Sequence, residues 1–200
     1  QTCALPIWQR LWRIRARRTV IAAGALERPL VFPNNDRPGI MLAAAVSAYI
    51  HRYAVRPGRQ AIIFTTNDSA YATALDWIDA GGRVTAIVDA RPNPTGDAVD
   101  AARAAGIENI TGRVVVDTTG RKHLTGVKIM ARNGNDVRGS ARHLQGDLLA
   151  VSGGWSPVVH LHSHAGGKLD YDPVAGAFVP RGEDETYVSV GSAAGTGALA

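Results

Sequence analysis

Two segments of this chain combine residue types and spacing suited to holding a nucleotide. An apolar run at 60–64 leads into a polar turn and then an apolar helical stripe, and a second apolar run at 83–88 ends on Asp89. The N-terminus of a helix offers unpaired N–H groups and a partial positive charge to a pyrophosphate. An acid that closes the next strand, about 20 residues after the turn, accepts the ribose hydroxyls. The spacing therefore predicts a dinucleotide site with Asp89 on the ribose.

The turn itself departs from the Gly-x-Gly-x-x-Gly pattern that lets a backbone approach a phosphate closely. Its side chains crowd that approach, and a carboxylate there repels a phosphate unless it caps the helix. Two interpretations stay open: a dinucleotide site, or a Rossmann-like unit without nucleotide in which Asn67 or Asp68 is an ordinary helix cap. The turn residues predicted to contact the cofactor are Thr65, Thr66, Asn67, Asp68 and Ser69, followed by Ala70.

Three histidines, His160, His162 and His164, alternate along the chain. On a strand, the His-x-His spacing points two imidazoles the same way, as in metal sites. No further ligand series follows downstream, so we interpret them as surface or interface histidines on a strand. We expect neither a metal site nor a catalytic residue in this chain.

Composition excludes several function classes. The chain has 200 residues, 46% of them hydrophobic, and one cysteine, which rules out a disulfide framework and a redox-active cysteine pair. No apolar stretch approaches the ~20 residues of a membrane span, and no signal peptide is evident, so a cytoplasmic location is expected.

The net charge of +5 owes much to arginines near the start of the chain. Arg13, Arg15 and Arg17 alternate with Trp12 and other apolar residues, a pattern typical of a half-buried strand with a basic, solvated face. No aromatic platform or recognition helix accompanies them, so nucleic-acid binding is not expected.

Strands alternate with helices along the rest of the chain. Helical stripes are predicted over 41–53, 70–80 and 97–105, a short strand over 107–110, and two hairpin strands over 112–117 and 124–131. Further strands are predicted in three stretches, over 12–25, from 146 to 180 and over 186–195. This order predicts an α/β protein with a mostly parallel sheet.

Three segments resemble the glutathione-reductase-like flavoproteins. Residues 19–29, with Ala22, Ala23 and Gly24, are similar to the strand that leaves the flavin domain. Residues 146–157, with Gly153, are similar to the return crossing, and residues 187–195 resemble the last flavin-domain strand. In that last strand Gly191, Ser192 and Ala193 would approach the cofactor, although Ser192 stands where the family has an acid.

The resemblance implies a Rossmann-like three-layer FAD/NAD(P)-binding fold, truncated at both ends. Residues 8–32 and 146–200 would be parts of the first domain, and residues 33–145 an inserted second, NAD-binding-type domain. Residues 1–7 read like translated sequencing adaptor, and the chain stops at Ala200 where a helix would begin. We therefore expect an internal piece of a longer protein, preceded by an artefact.

Within this superfamily, residues 25–40, 67–71, 88–91 and 153–162 are similar to alpha subunits of heterotetrameric sarcosine oxidases, with opine oxidases and hydrogen-cyanide synthase as cousins. The resemblance implies a bound NAD or FAD, and amine oxidation on a flavin-carrying beta subunit beside smaller subunits. Alternatively, the chain is a non-catalytic binding and assembly module. Glu27, next to Arg28, would make either a salt bridge or a cofactor contact.

Overall fold

The computed structural model describes residues 11–182 and 184–196. The segment 1–7 interpreted as an artefact, its Cys3, and the helix expected to begin near Ala200 lie outside these residues. In the described part of the chain, no helix is long and apolar enough to cross a membrane.

A five-stranded parallel sheet forms the centre of the molecule. Its inner strands are buried on both faces, which is why they are continuous apolar runs in the sequence. The strands predicted at 60–64 and 83–88 are confirmed. In spatial order, the strands are β3 (Ile40–Leu42), β10 (Leu148–Ser152), β4 (Gln60–Thr65), β5 (Arg83–Asp89) and β6 (Asn109–Thr111).

Three helices cover one face of this sheet, close to their predicted positions: α1 (Ala43–Tyr53), α2 (Ser69–Asp79) and α3 (Asp97–Ala104). Their apolar stripes bury Val46, Tyr71, Trp77 and Val99 completely against the strands. This burial follows from the helical spacing of the apolar residues.

A three-stranded antiparallel sheet packs on the opposite face, which makes the third layer. Its strands are β7 (Arg113–Thr119), β8 (Gly126–Asn133) and β9 (Asp136–Gln145). Phe32, Phe64, Leu124 and Ile129 are buried in the core between the two sheets. The sequence predicted only the first two strands, because β9 exposes every residue except Leu144 and so lacks an apolar stripe.

Smaller elements join the rest of the chain to this core. β1 (Thr19–Ile21) pairs in parallel with β14 (Tyr187–Ser189), and β2 (Ala25–Glu27) pairs antiparallel with β11 (Trp155–Pro157). β12 (Lys168–Asp172) and β13 (Ala177–Arg181) form a hairpin. The remaining elements are a short helix α4 (His160–His164) and a 3₁₀ turn (Gly191–Ala194).

Two predictions about the start of the chain are wrong. Residues 12–18 form no strand and lie exposed, since no strand of the described chain pairs with them. The strand predicted to run on through residue 25 is broken after Ile21, and Gly24, with φ of +74°, separates β1 from β2. A positive φ is accessible to glycine at little cost and ends the extended run.

The predicted domain boundary at residue 146 lies just before a central strand of the five-stranded sheet. β10 lies between β3 and β4 and pairs in parallel with both, so residues 148–152 belong to the sheet of the inserted unit. Its five residues are all buried. A central strand is covered on both faces and cannot be exchanged with another sheet without exposing that surface.

Candidate functional site

The turn between β4 and α2 is closed by its own side chains. The Thr65 hydroxyl donates to the Asn67 carbonyl at 2.8 Å and accepts the Asn67 backbone N–H at 3.0 Å. Asn67 Oδ1 accepts the backbone N–H of Ser69 at 3.1 Å and its hydroxyl at 2.6 Å. Asp68 occupies the N-cap position, but its side chain makes no capping bond. Asn67 therefore accepts a hydrogen bond from a helix N–H that could otherwise donate to a phosphate.

Asp89 lies directly behind this turn and is fully buried. Its Oδ2 accepts the Tyr71 hydroxyl at 2.9 Å and Arg91 Nη2 at 2.7 Å, and its Oδ1 accepts the Arg91 backbone N–H at 2.8 Å. Burial, and then the Asp89 charge, raise the pKa of Tyr71 well above its usual range. The carboxylate that the spacing predicts on a ribose has no exposed surface in this arrangement.

Arg91 links the buried carboxylate to the turn. Its Nη2 also lies 2.6 Å from Asp68 Oδ1, so one guanidinium serves two carboxylates. Its hydrogen bond to Asp89 is the main reason why the pKa of Arg91 is raised above its usual range. Neither Arg91 nor Tyr71 was predicted as a site residue, although an arginine two residues after the strand-ending acid is a visible signal.

Strands β10 and β11 bring two more side chains to the turn. Trp155 lies opposite Glu27 in the β2–β11 pair, and its indole N–H donates to Ser69 Oγ at 3.0 Å. Asn67 Nδ2 donates to Ser152 Oγ, at the end of β10, at 2.9 Å. Trp155 was not predicted as a site residue, although it follows Gly153 in the crossing segment.

Glu27 lies at the start of α1, where its Oε2 accepts the Ala44 backbone N–H at 2.8 Å, while its buried Oε1 has no partner. Burial raises the pKa of this carboxyl, and the Ser152 side chain and the Ala44 amide partly offset the rise. Arg28 does not pair with it: its guanidinium donates to the carbonyls of Ala175 and Gly176 at 3.0 and 2.7 Å. A Glu27–Arg28 salt bridge is therefore wrong.

A second group of predicted residues assembles where β1 and β14 end. The two strands are parallel, so residues 22–24 and 191–193 leave the same edge, and the Val190 N–H donates to the Ile21 carbonyl at 3.0 Å. Gly24 and Gly191 have φ of +74° and +62°, and among the described residues, apart from their chain neighbours, no heavy atom lies within 4 Å of a Cβ built on either. Ala22, Ala23, Ser192 and Ala193 are the other predicted cofactor residues of this group.

Gly153 differs from these open glycines. A Cβ at Gly153 would lie 3.0 Å from the Pro29 carbonyl oxygen and 3.1 Å from that of Arg28. The Gly153 N–H donates to the Arg28 carbonyl at 2.7 Å. Gly153 thus permits close backbone packing at the crossing, beside the turn.

The histidine segment forms the short helix α4, so the prediction of a strand is wrong. His162 is buried, with Nδ1 3.2 Å from Ser189 Oγ, Nε2 3.2 Å from the Lys168 carbonyl, and its ring edge-on to Tyr187. Both ring nitrogens have partners, which makes this histidine a packing residue. No cluster of metal-binding side chains occurs within residues 11–182 and 184–196.

No family model matches the chain. It is 50% identical over 175 residues to the sarcosine oxidase subunit alpha of Corynebacterium sp. strain P-1, and 41% identical over 196 residues to that of Rhizobium meliloti. These matches cover 86% and 98% of the chain. The chain is a homologue of one segment of sarcosine oxidase alpha subunits. The resemblance drawn from the sequence is confirmed for this segment, which spans 18% and 19% of the length of these relatives.

Solved structures agree on the fold. Thioredoxin reductase from T. acidophilum superposes with a TM-score of 0.67 at 16% identity, covering 92% of this chain and 59% of its own. L-proline dehydrogenase from P. horikoshii superposes with a TM-score of 0.58 at 21% identity, covering 89% and 30%. The predicted Rossmann-like α/β fold of FAD- and NAD(P)-dependent oxidoreductases is confirmed.

Proposed function

We propose that this chain is the dinucleotide-binding part of a flavoprotein oxidoreductase that oxidises a secondary amine such as sarcosine. The observation that carries the proposal is the identity of 41–50% to sarcosine oxidase alpha subunits over most of the chain. Opine oxidases or hydrogen-cyanide synthase would be related alternatives, distinguished by the amine that reduces the complex.

The cofactor of this chain is NAD or FAD, and the open edge at Gly24 and Gly191 fits such a group. Both glycines have positive φ and leave free space where a side chain would stand, which suits close backbone approach to a cofactor. A bound dinucleotide would supply electron transfer, whereas Ala22, Ala23, Ser192 and Ala193 would position it. The turn at 65–69 fits a second dinucleotide less well, since Asn67 already bonds a helix N–H.

The amine chemistry would take place on a partner. A flavin-carrying beta subunit would oxidise the amine, and smaller subunits would complete the hetero-oligomer. Within the described residues no cluster of metal-binding side chains occurs. We expect the chain alone to oxidise no amine.

The test is the cofactor content of the full-length alpha chain in its complex. After denaturing release, mass spectrometry should find at least one NAD or FAD held by the alpha chain. Gly191→Val should lower that content, because a β-branched side chain at this φ strains the backbone and fills the open space.

Gly134→Val is the matched control. Gly134 has the same φ of +62° and the same open surroundings, but lies in the turn between β8 and β9. An alpha chain without dinucleotide, or equal loss in both variants, would overturn the proposal.

A second candidate function is a non-catalytic module in which the dinucleotide is structural. The closed turn at 65–69 and the buried, fully engaged Asp89 favour it. Rapid mixing of the complex with sarcosine separates the two functions. Absorbance change of the alpha-chain dinucleotide during turnover supports an electron-transfer role, and an unchanged dinucleotide supports the module.

A further inference from the structure

We propose that Asn133 is a site of spontaneous deamidation, at which the backbone nitrogen of Gly134 displaces the side-chain amide while Arg138 assists from the neighbouring strand. Asn133 is the last residue of β8, and Gly134 begins the turn to β9. It is the one asparagine of the sequence that glycine follows. The inference concerns this hairpin alone and does not depend on which cofactor the chain binds.

The turn leaves the attacking nitrogen accessible. Residues 133–136 are all exposed. Gly134 has φ of +62°, and among the described residues, apart from its chain neighbours, no heavy atom lies within 4 Å of a Cβ built on it. Glycine at the first position of a two-residue hairpin loop is typical of a type II′ turn. Within the described chain the Gly134 N–H makes no hydrogen bond to another backbone group. The nitrogen therefore has neither a side chain beside it nor a backbone partner that would hinder its attack.

Arg138 binds the amide that is attacked. It lies opposite Ala131 in the β8–β9 pair. Side chains two residues apart on a strand point to the same face of the sheet, so Asn133 and Arg138 share one face of the hairpin. In the orientation that gives both groups partners, the Asn133 amide oxygen accepts Nε of Arg138 at 2.9 Å and Nη2 at 3.1 Å. The guanidinium therefore faces the oxygen on which negative charge develops during the attack.

The reaction needs only water as a co-reactant. The Gly134 nitrogen loses its proton to hydroxide and bonds to Cγ of Asn133, which places a negative charge on Oδ1. Two donors from one cation stabilise that oxyanion, as positioned donors do in acyl transfer. Its collapse breaks the Cγ–Nδ2 bond, and Nδ2 takes a proton from water and leaves as ammonia, which gives a cyclic succinimide. Water then opens the ring at either carbonyl, which yields aspartate or isoaspartate.

The carboxylate that forms has cationic partners. Arg138 then donates to a charged acceptor in place of a neutral one, and charge-assisted hydrogen bonds are the stronger kind. Arg132, whose Nε donates to the Gly134 carbonyl at 3.0 Å, adds a second cation at the turn. Isoaspartate adds a carbon to the backbone and disturbs the pairing of Asn133 with Asp136. Deamidation therefore changes both the charge and the strand pairing at the end of this hairpin.

The experiment uses the full-length protein in its complex, incubated in mildly alkaline buffer and sampled over time by peptide mapping. Deamidation replaces NH₂ by OH, so the Asn133 peptide gains the corresponding mass, and an isoaspartyl methyltransferase labels the isoaspartate. Asn135 is the internal control, because it is exposed in the same turn but precedes Asp136. We expect Asn133 to lose its amide severalfold faster than Asn135, because glycine leaves the attacking nitrogen unhindered.

Arg138→Gln tests the assistance from the neighbouring strand. It should slow the loss of the Asn133 amide about threefold, because a neutral donor stabilises an oxyanion less than a cation does. Arg142→Gln removes another exposed arginine of β9, which pairs with Glu108, and should leave the rate unchanged. An Asn133 amide that lasts as long as that of Asn135 would overturn the site. A rate that Arg138→Gln leaves unchanged or raises, or that both arginine variants slow equally, would overturn the role of Arg138.

Discussion

The Glu27 carboxylate accepts the backbone N–H of Ala44 at 2.8 Å, although the two residues belong to different elements and lie 17 positions apart. The N-cap of α1 is Leu42, which has no polar side chain. Strand β2 therefore supplies the cap of this helix, in the way that a local Ser or Asp usually does. The contact connects the β2–β11 pair to the helical layer.

This contact predicts a pH dependence of stability. Burial raises the pKa of Glu27 in the folded chain above its ordinary 4.5, so folding favours the protonated carboxyl. The stabilisation is fully present below 4.5 and is lost as pH rises through the raised pKa. Glu27→Gln keeps an acceptor for Ala44, and urea unfolding across pH should show a flatter curve than the wild type in that window.

Asp117→Asn is the control with the opposite sign. The Lys128 side chain, followed by Asn34, lowers the pKa of Asp117, so its contribution is lost as pH falls through that lowered value. The difference in stability between this variant and the wild type should therefore be present at neutral pH and disappear only on the acidic side. A Glu27→Gln curve parallel to the wild type throughout would contradict the assignment.

The Trp155–Ser69 hydrogen bond is expected to contribute to stability at the turn. A double-mutant cycle with Trp155→Phe and Ser69→Ala should give a coupling free energy of about 0.5–1.5 kcal/mol in urea unfolding, because each variant removes the same bond. Trp12→Phe, at an exposed site, should cost nothing measurable. Additive single variants would show that the indole N–H contributes no specific contact.

Arg28 is expected to anchor the hairpin of β12 and β13. Its guanidinium bonds two carbonyls in the hairpin turn without a carboxylate partner, and Arg28→Ala should cost about 1–3 kcal/mol. Hydrogen exchange should accelerate in the hairpin and not in β4. Arg181→Ala, which loses only the exposed 3.6 Å pair with Asp170, is the control and should leave exchange unchanged.

Gly82 is expected to tolerate no side chain. A Cβ there would lie 2.3 Å from Nε1 of the buried Trp77, whose indole donates to the Arg83 carbonyl. Gly82→Ala should lower the free energy of unfolding by about 1–3 kcal/mol through overpacking. Gly106→Ala should cost only the backbone strain of its positive φ, about 1 kcal/mol, since no atom is near. Equal losses would refute the packing explanation.

The sequence predicted the layered core well because its signal is local. Strands that are covered on both faces appear in the sequence as continuous apolar runs, such as 60–64 and 83–88. The helices are recognised by the 3.6-residue spacing of their apolar residues. The strand β9 was not predicted because its residues are almost all exposed. The central position of β10 in the sheet was not predicted, because an apolar run does not indicate which strands it pairs with.

The spacing predicted where the turn and Asp89 lie in the fold but not the contacts that they make. Spacing located the turn and Asp89 correctly at adjacent strand ends, yet it could not reveal that the carboxylate would be buried behind Arg91. The burial of Asp89 depends on the Tyr71 side chain and on the loop after β5, and no local sequence pattern indicates these contacts. Likewise, the histidine spacing fits a strand, but contacts with Ser189 and Lys168 accompany a helical turn instead.

The central position of β10 has a consequence for synthesis. Leu148 pairs with Ala61, and Val151 with both Phe64 and Leu42, so the middle of the sheet closes only after residue 152 has left the ribosome. Until then β3 and β4 flank an empty groove, and contacts this distant in sequence form slowly. We expect a nascent chain that ends before β10 to remain open to proteases and chaperones.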